Sequence, residues 1–189
     1  KKAVAYALET PDRGLDFKSD LIDWDNLALV MCSDASNTGE TDVGITPSGT
    51  EKKEPYRSQG GRLHMLMNRS DMAEDTFPCH PIACVSKVIP RVCRSTVQAE
   101  AYEIQYGVEA GDVLRAAIAD IFGKLDIKRW EATAAAFMPQ LWFTDCQSVY
   151  DTVRAPVLAK ASDKRLGIKL ASLRQNLWRE AGETIGNPL

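Results

Sequence analysis

Two apolar runs that each end in an aspartate bracket a long helical stretch, and this order constrains the fold more than any other feature of the chain. The first run is Leu27–Asp34 (LALVMCSD) and the second is Gln140–Asp145 (QLWFTD). Both are β-compatible and read as strands, with Arg62–Met67 and Ile82–Val88 as two further strands between them and a break at Pro90. The first three strands follow one another without a helical segment, which predicts an antiparallel meander. Asn37–Gly61 is rich in Gly, Ser, Thr, Asn, Glu and Lys and reads as a long loop or partly disordered insert.

The helical half of the pattern begins at Ser95 or Thr96, either of which suits an N-cap. Val97, Ala101, Ile104 and Val108 make an apolar stripe at helical spacing. Gly107 and Gly111 weaken that helix or let it approach a neighbour closely. Asp112 suits the cap of a continuation, which Gly123 ends. Ser148–Val153 reads as a short helix stopped before Pro156. A last helix starts at Ser162 or Asp163 and carries an apolar face of Leu166, Leu170, Leu173 and Leu177. At the other end, Ala3–Leu8 reads as the end of a helix, Thr10–Gly14 breaks it, and Leu15–Phe17 suits a short edge strand. The order β, β, β, α, β, α, α predicts an α/β domain.

Bulk properties exclude several classes. A chain of 189 residues suits one domain with a real core. A formal charge of −3 argues against coating nucleic acid by charge alone, though not against a local basic groove. No run is long and apolar enough to span a membrane, and no secretory pattern opens the chain. Its start inside a helical pattern, without an initiator Met, suggests a piece of a longer polypeptide. Five cysteines, an odd number with no CxxC pair, predict reduced and buried thiols and an intracellular setting, cytoplasmic or nuclear. His64 and His80 have no zinc-like spacing to any cysteine pair and are expected to be structural. The Asn68-Arg69-Ser70 sequon is then a chance match.

The acids carry the chemistry. Asp34 and Asp145 close two strands, and Glu100 sits on the opening turns of the helical stretch Arg94–Gly107. Each alone is ordinary: a strand-end Asp forms turns, and an early helical Glu complements the helix dipole. Placed together they repel and resist ionisation unless a cation neutralises them. The chemistry that suits such a cluster is divalent-metal catalysis on phosphate esters. Lys87, Arg91 and Arg94, with no acid between them, are candidate phosphate contacts. Lys164, Arg165, Lys169, Arg174 and Arg179 read as the wet face of the last helix, and Trp142 and Trp178 as core or interface aromatics.

In order, spacing and short motifs (LVMCSDAS, GGRLHMLM, HPIACVSKVIPRVCRST, QAEAY, LWFTDCQSVYD) the chain resembles the ribonuclease H domain of copia-type retrotransposon polyproteins, from about Lys1 to about Glu180. The resemblance implies a ribonuclease H-like fold: a mixed sheet of three antiparallel strands plus a fourth parallel to the first, with flanking helices. It assigns 1–26 to a connection from an upstream reverse-transcriptase-like region and 27–189 to the nuclease domain. It also implies Asp34, Glu100 and Asp145 as catalytic metal ligands, with Glu103, one turn on, as the alternative to Glu100. The cofactor would be two Mg²⁺ ions, or Mn²⁺, about 3.5–4 Å apart. The substrate would be the RNA strand of an RNA–DNA hybrid, its 2′-hydroxyls met near Ser33, Ala35, Ser36 and the helix start. A fourth carboxylate, expected after the helix ending near Glu180, has no match here, and Asp163 is offered as an N-cap instead. The alternative expectation is a domesticated, catalytically impaired module with a structural or binding role in a larger assembly.

Overall fold

A computed structural model describes residues 9, 10, 12, 14, 17–45, 51–158 and 163–180, with the side chains of 37–45 and 51–56 outside the description. Four strands form one mixed sheet: β1 (Leu27–Ile45), β2 (Glu51–Asn68), β3 (His80–Val88) and β4 (Gln140–Thr144). Their order is β3-β2-β1-β4. β1 pairs antiparallel with β2 and parallel with β4, and β2 pairs antiparallel with β3. The helices are α1 (Thr96–Ile121), α2 (Trp130–Phe137), α3 (Gln147–Arg154) and α4 (Lys164–Glu180). The meander, the parallel fourth strand and the flanking helices are the α/β, ribonuclease H-like arrangement expected from the sequence.

The unbroken run Leu27–Met31 follows from the position of β1 at the centre of the sheet. Each of its five residues is almost wholly buried, because both faces of the strand are covered. Met31 packs against Ala101, Ile104 and Val108 of α1, beside Val149 and Val153 of α3 and Leu170 and Leu173 of α4. On the opposite face, Ala28 and Val30 meet Met67, Met72, Phe77 and Leu141. Ile22 joins Leu27, Leu29, Leu66 and Met138, so the described part of the 1–26 segment lies against the sheet.

Ser95 caps α1, its hydroxyl accepting the Gln98 amide at 3.2 Å, while Gln98 Oε1 accepts the Arg94 amide at 2.7 Å. The Ser95 hydroxyl satisfies one donor that the first turn leaves unpaired, and the Gln98 side chain holds the residue before the cap. The helix ends where Gly123 takes a φ of 65°, a left-handed conformation that favours glycine. The two internal glycines serve close approach: a Cβ on Gly107 would lie 2.6 Å from Met31 Sδ, and one on Gly111 would collide with the side-chain amide of Gln140.

Several expectations need correction. The predicted loop Asn37–Gly61 is mostly strand: β1 runs to Ile45 and β2 starts at Glu51, with Glu40 opposite Arg57 and Ile45 opposite Glu51. Its few apolar residues give no core-facing alternation, so the pattern of a half-buried strand is missing from the sequence. Asp112 caps nothing. It lies inside an unbroken α1 and accepts hydrogen bonds from Arg115 and Arg179. Helix α2 has no counterpart among the sequence-based elements, because its eight residues are too few to show a period. Arg174 is buried rather than wet, stacked 4.4 Å from the Trp178 ring and donating to the Pro156 carbonyl at 2.6 Å. All five cysteines are free, but only Cys93 is buried: Cys32, Cys79 and Cys146 are half-buried and Cys84 is exposed on edge strand β3. The Ala3–Leu8 helix and most of the Leu15–Phe17 strand lie outside the described residues. No helix among those described is long and apolar enough to cross a membrane.

Candidate metal centre

Three elements deliver three carboxylates to one point. Asp34 lies on β1 just past its parallel pairing with β4, which ends at Ser33 opposite Thr144; Asp145 follows directly on β4. Glu100 comes from the second turn of α1, which crosses this end of the sheet. A carboxylate oxygen from each of Asp34, Glu100 and Asp145 falls within 4.8 Å of the others. Asp34 and Asp145 are exposed, whereas Glu100 is 3% exposed.

Glu100 is the polarised member of the set. Its Oε1 accepts the backbone amide of Ala35 at 3.1 Å, and its buried Oε2 has no hydrogen-bond partner. Burial raises its pKa to about 7, opposed by the Ala35 amide and reinforced by the charges of Asp34, Asp145 and Glu103. The three carboxylates lie close enough together to share a metal ion, with one oxygen of Glu100 buried and unpartnered among them. The donor set is all hard oxygen, which suits Mg²⁺ or Mn²⁺ and offers nothing to a thiophilic metal.

Glu103, the alternative to Glu100, is not part of this cluster. It is wholly buried one turn further along α1, where its Oε1 accepts from Arg62 Nη1 at 2.8 Å. Burial pushes its pKa up, and the Arg62 guanidinium opposes that shift. The sequence assigns Arg62 no role, since nothing in GGRLHMLM pairs it with a residue 41 positions on.

The candidate phosphate contacts are exposed but spread out. Lys87 lies on β3 opposite Gly60, near enough to Glu103 to act on its charge. Arg91 lies in the connection before α1, and Arg94 lies at the N-terminus of that helix. Asp163 is an N-cap: its Oδ1 accepts the amides of Arg165 and Leu166, which hold its carboxyl below the usual range, with a smaller contribution from the Arg94 charge. Of the groups expected to meet 2′-hydroxyls, Ser33 and Ala35 are buried and the Ala35 amide is taken by Glu100. Ser36 alone of the three is exposed. The histidines are structural in their contacts: His64 Nε2 meets the Gly107 carbonyl at 2.9 Å and His80 Nε2 the Lys18 carbonyl at 3.0 Å.

A cavity of about 560 Å³ lies elsewhere. It runs along the outer edge of β4 between α3 and α4, lined by Trp142, Phe143, Leu173 and Trp178 among others, and none of the three acids borders it. Comparison of the chain with models of known protein families, with curated proteins and with solved structures finds no match.

Proposed function

We propose that the chain is a metal-dependent nuclease of the ribonuclease H type, hydrolysing the RNA strand of RNA–DNA hybrids, as one domain of a retroelement polyprotein of the copia class. The observation that carries this reading is the buried, unpartnered Oε2 of Glu100 in one 4.8 Å cluster with Asp34 and Asp145.

Asp34, Glu100 and Asp145 would hold the divalent cations. Bound there, such cations supply Lewis-acid activation of water and charge neutralisation at a phosphodiester. The protein's own share is positional. The Ala35 amide fixes Glu100 by one oxygen and leaves the other for the cation. The β1–β4 pairing sets the separation of the two aspartates. Exposure of both aspartates leaves the site open to a substrate as broad as a duplex. Lys87, Arg91 and Arg94 would contact phosphates, which makes binding salt-dependent.

The test is cleavage of a labelled RNA–DNA hybrid with Mg²⁺ or Mn²⁺, against duplex DNA, duplex RNA and Asp34→Asn. Hybrid-specific cleavage that the substitution abolishes supports the reading, and calorimetric stoichiometry distinguishes one ion from two. Metal binding without cleavage favours a module that binds and does not cut. One observation favours that second reading: beyond Ser36 and Gln59 the β1–β2 ladder continues with neither β3 nor β4 beside it, a two-stranded ribbon suited to docking.

A further inference from the structure

Helix α1 carries two glutamates one turn apart, Glu100 and Glu103, and seating the helix about one turn further along the sheet would exchange them. The structure shows what tells them apart. Glu103 lies over β2, where Gly60 leaves a slot: a Cβ at Gly60 would collide with the Glu103 carboxylate. Arg62, two residues on and 8% exposed in its side chain, closes on the same carboxylate at 2.8 Å. Both β2 residues sit beside the acid cluster in register, Gly60 opposite Ala35 and Arg62 opposite Ser33. The Ala35 amide in turn binds Glu100. Further along the helix, Gly107 seats on Met31, so the same face of α1 is keyed at successive turns.

We propose that Arg62 and Gly60 are positioning residues that select which glutamate joins the acid cluster, capturing Glu103 and thereby delivering Glu100 to Asp34 and Asp145. The pair adds little net stability, since buried ion pairs rarely outweigh their desolvation. Its contribution is register, the use for which buried ionic groups are best attested. Neither Arg62 nor Glu103 belongs to the cluster. Their effect passes through the seating of α1. The inference deepens the metal-centre reading and rests on it only for its second readout.

The experiment compares the parent chain with Arg62→Met/Glu103→Met, which removes both charges together, and with Arg62→Lys, which keeps the charge and loses the planar fork. The first readout needs no metal: hydrogen exchange of the Ala35 amide, whose acceptor is Glu100, measured against ladder amides of β1 such as Val30. The second is Mn²⁺ affinity by calorimetry. We expect Ala35 to exchange about 10-fold faster in the double variant while Val30 is unchanged. Mn²⁺ should bind about 10-fold more weakly, the usual effect of losing a group that orients a ligand. Arg62→Lys should move both readouts in the same direction by less. Unchanged Ala35 exchange in whichever variant folds overturns the proposal, as does a loss of protection shared equally by Val30. Faster Ala35 exchange in the double variant, with a parent chain that binds no Mn²⁺, sustains the register role and removes the metal reading alone.

Discussion

The carboxylate of Glu100 takes the backbone amide hydrogen of Ala35, 65 residues earlier in the chain, at 3.1 Å. That bond ties the second turn of α1 to the residue after Asp34, so one contact sets both the helix position and the distance between two acids. It also leaves Glu100 half satisfied. One oxygen has a donor, and the other is buried with none. A group so placed makes the acid cluster a source of instability in the metal-free protein.

The pH dependence of stability follows with a definite sign. The folded pKa of Glu100, about 7, exceeds the ordinary glutamate value of 4.5. Below that ordinary value the side chain is protonated in both states and the contribution is fully present. As pH rises from about 4.5 to about 7 the unfolded chain releases its proton first, so the metal-free protein loses stability across this window. Across it, stability falls by about 1.4 kcal/mol for each pH unit that separates the folded from the unfolded pKa, a loss on the order of a few kcal/mol in all. Urea midpoints between about pH 4.5 and pH 8 check it. Glu100→Gln should flatten the slope, and the residual slope belongs in part to Glu103, whose pKa burial also raises.

Neutralising the cluster should trade function for stability. Asp34→Asn or Asp145→Asn removes a charge from a set of carboxylates within 4.8 Å of one another. The metal-free Tm should rise by a few degrees, the effect of relieving about 1 kcal/mol of repulsion in a domain of this size. Millimolar Mg²⁺ should raise the Tm of the parent and leave that of either variant nearly unchanged. Thermal scans with and without Mg²⁺ give both numbers. A variant less stable than its parent in the absence of metal would contradict a repulsive cluster.

A second charged network should behave in the opposite way. Arg115 is 1% exposed and joins Asp112 at 2.5 Å to Glu180 at 2.6 Å, while Glu180 Oε2 also accepts the Gln140 amide at 3.0 Å. This ties α1 to the end of α4 and the start of β4. Arg115→Met strands the Glu180 carboxylate without a cation and leaves Asp112 with Arg179 as its remaining partner, and we expect a loss of about 3–5 kcal/mol. Chemical denaturation at neutral pH measures it. The loss should shrink toward about pH 4 as the freed acid takes up a proton.

The sheet is legible in the sequence wherever burial leaves a pattern. Leu27–Met31 is continuous because β1 is covered on both faces, and Leu166, Leu170, Leu173 and Leu177 recur because α4 packs one side. The three acids are legible because each ends or opens a regular element. What stays hidden is hidden for physical reasons. The hairpin beyond Ser36 and Gln59 has few apolar residues to alternate. The eight residues of α2 are too short for a period. The burial of Arg174 and Arg62 depends on partners, Trp178 and Glu103, whose proximity only the fold creates. The choice between Glu100 and Glu103 is open in the sequence for the same reason.

The seating of α1 on the sheet gives the sharpest packing prediction. A methyl group on Gly107 would stand 2.6 Å from Met31 Sδ and 3.0 Å from its Cε, well inside contact. Met31 is itself fully buried among Ala101, Ile104 and Val108, so its thioether has little room to swing away. Helix propensity favours alanine over glycine by about 1 kcal/mol. Overpacking opposes it by about 1–3 kcal/mol. Gly107→Ala should therefore be destabilising by up to about 2 kcal/mol, although the same change at an exposed helical glycine would stabilise. Met31→Ala alone should cost about 2–5 kcal/mol through its cavity. In the double variant the new methyl enters the space the thioether vacates, so the two effects should be strongly non-additive, with a coupling of at least about 1 kcal/mol by urea denaturation. Simple additivity would mean that α1 does not rest on β1 at this point.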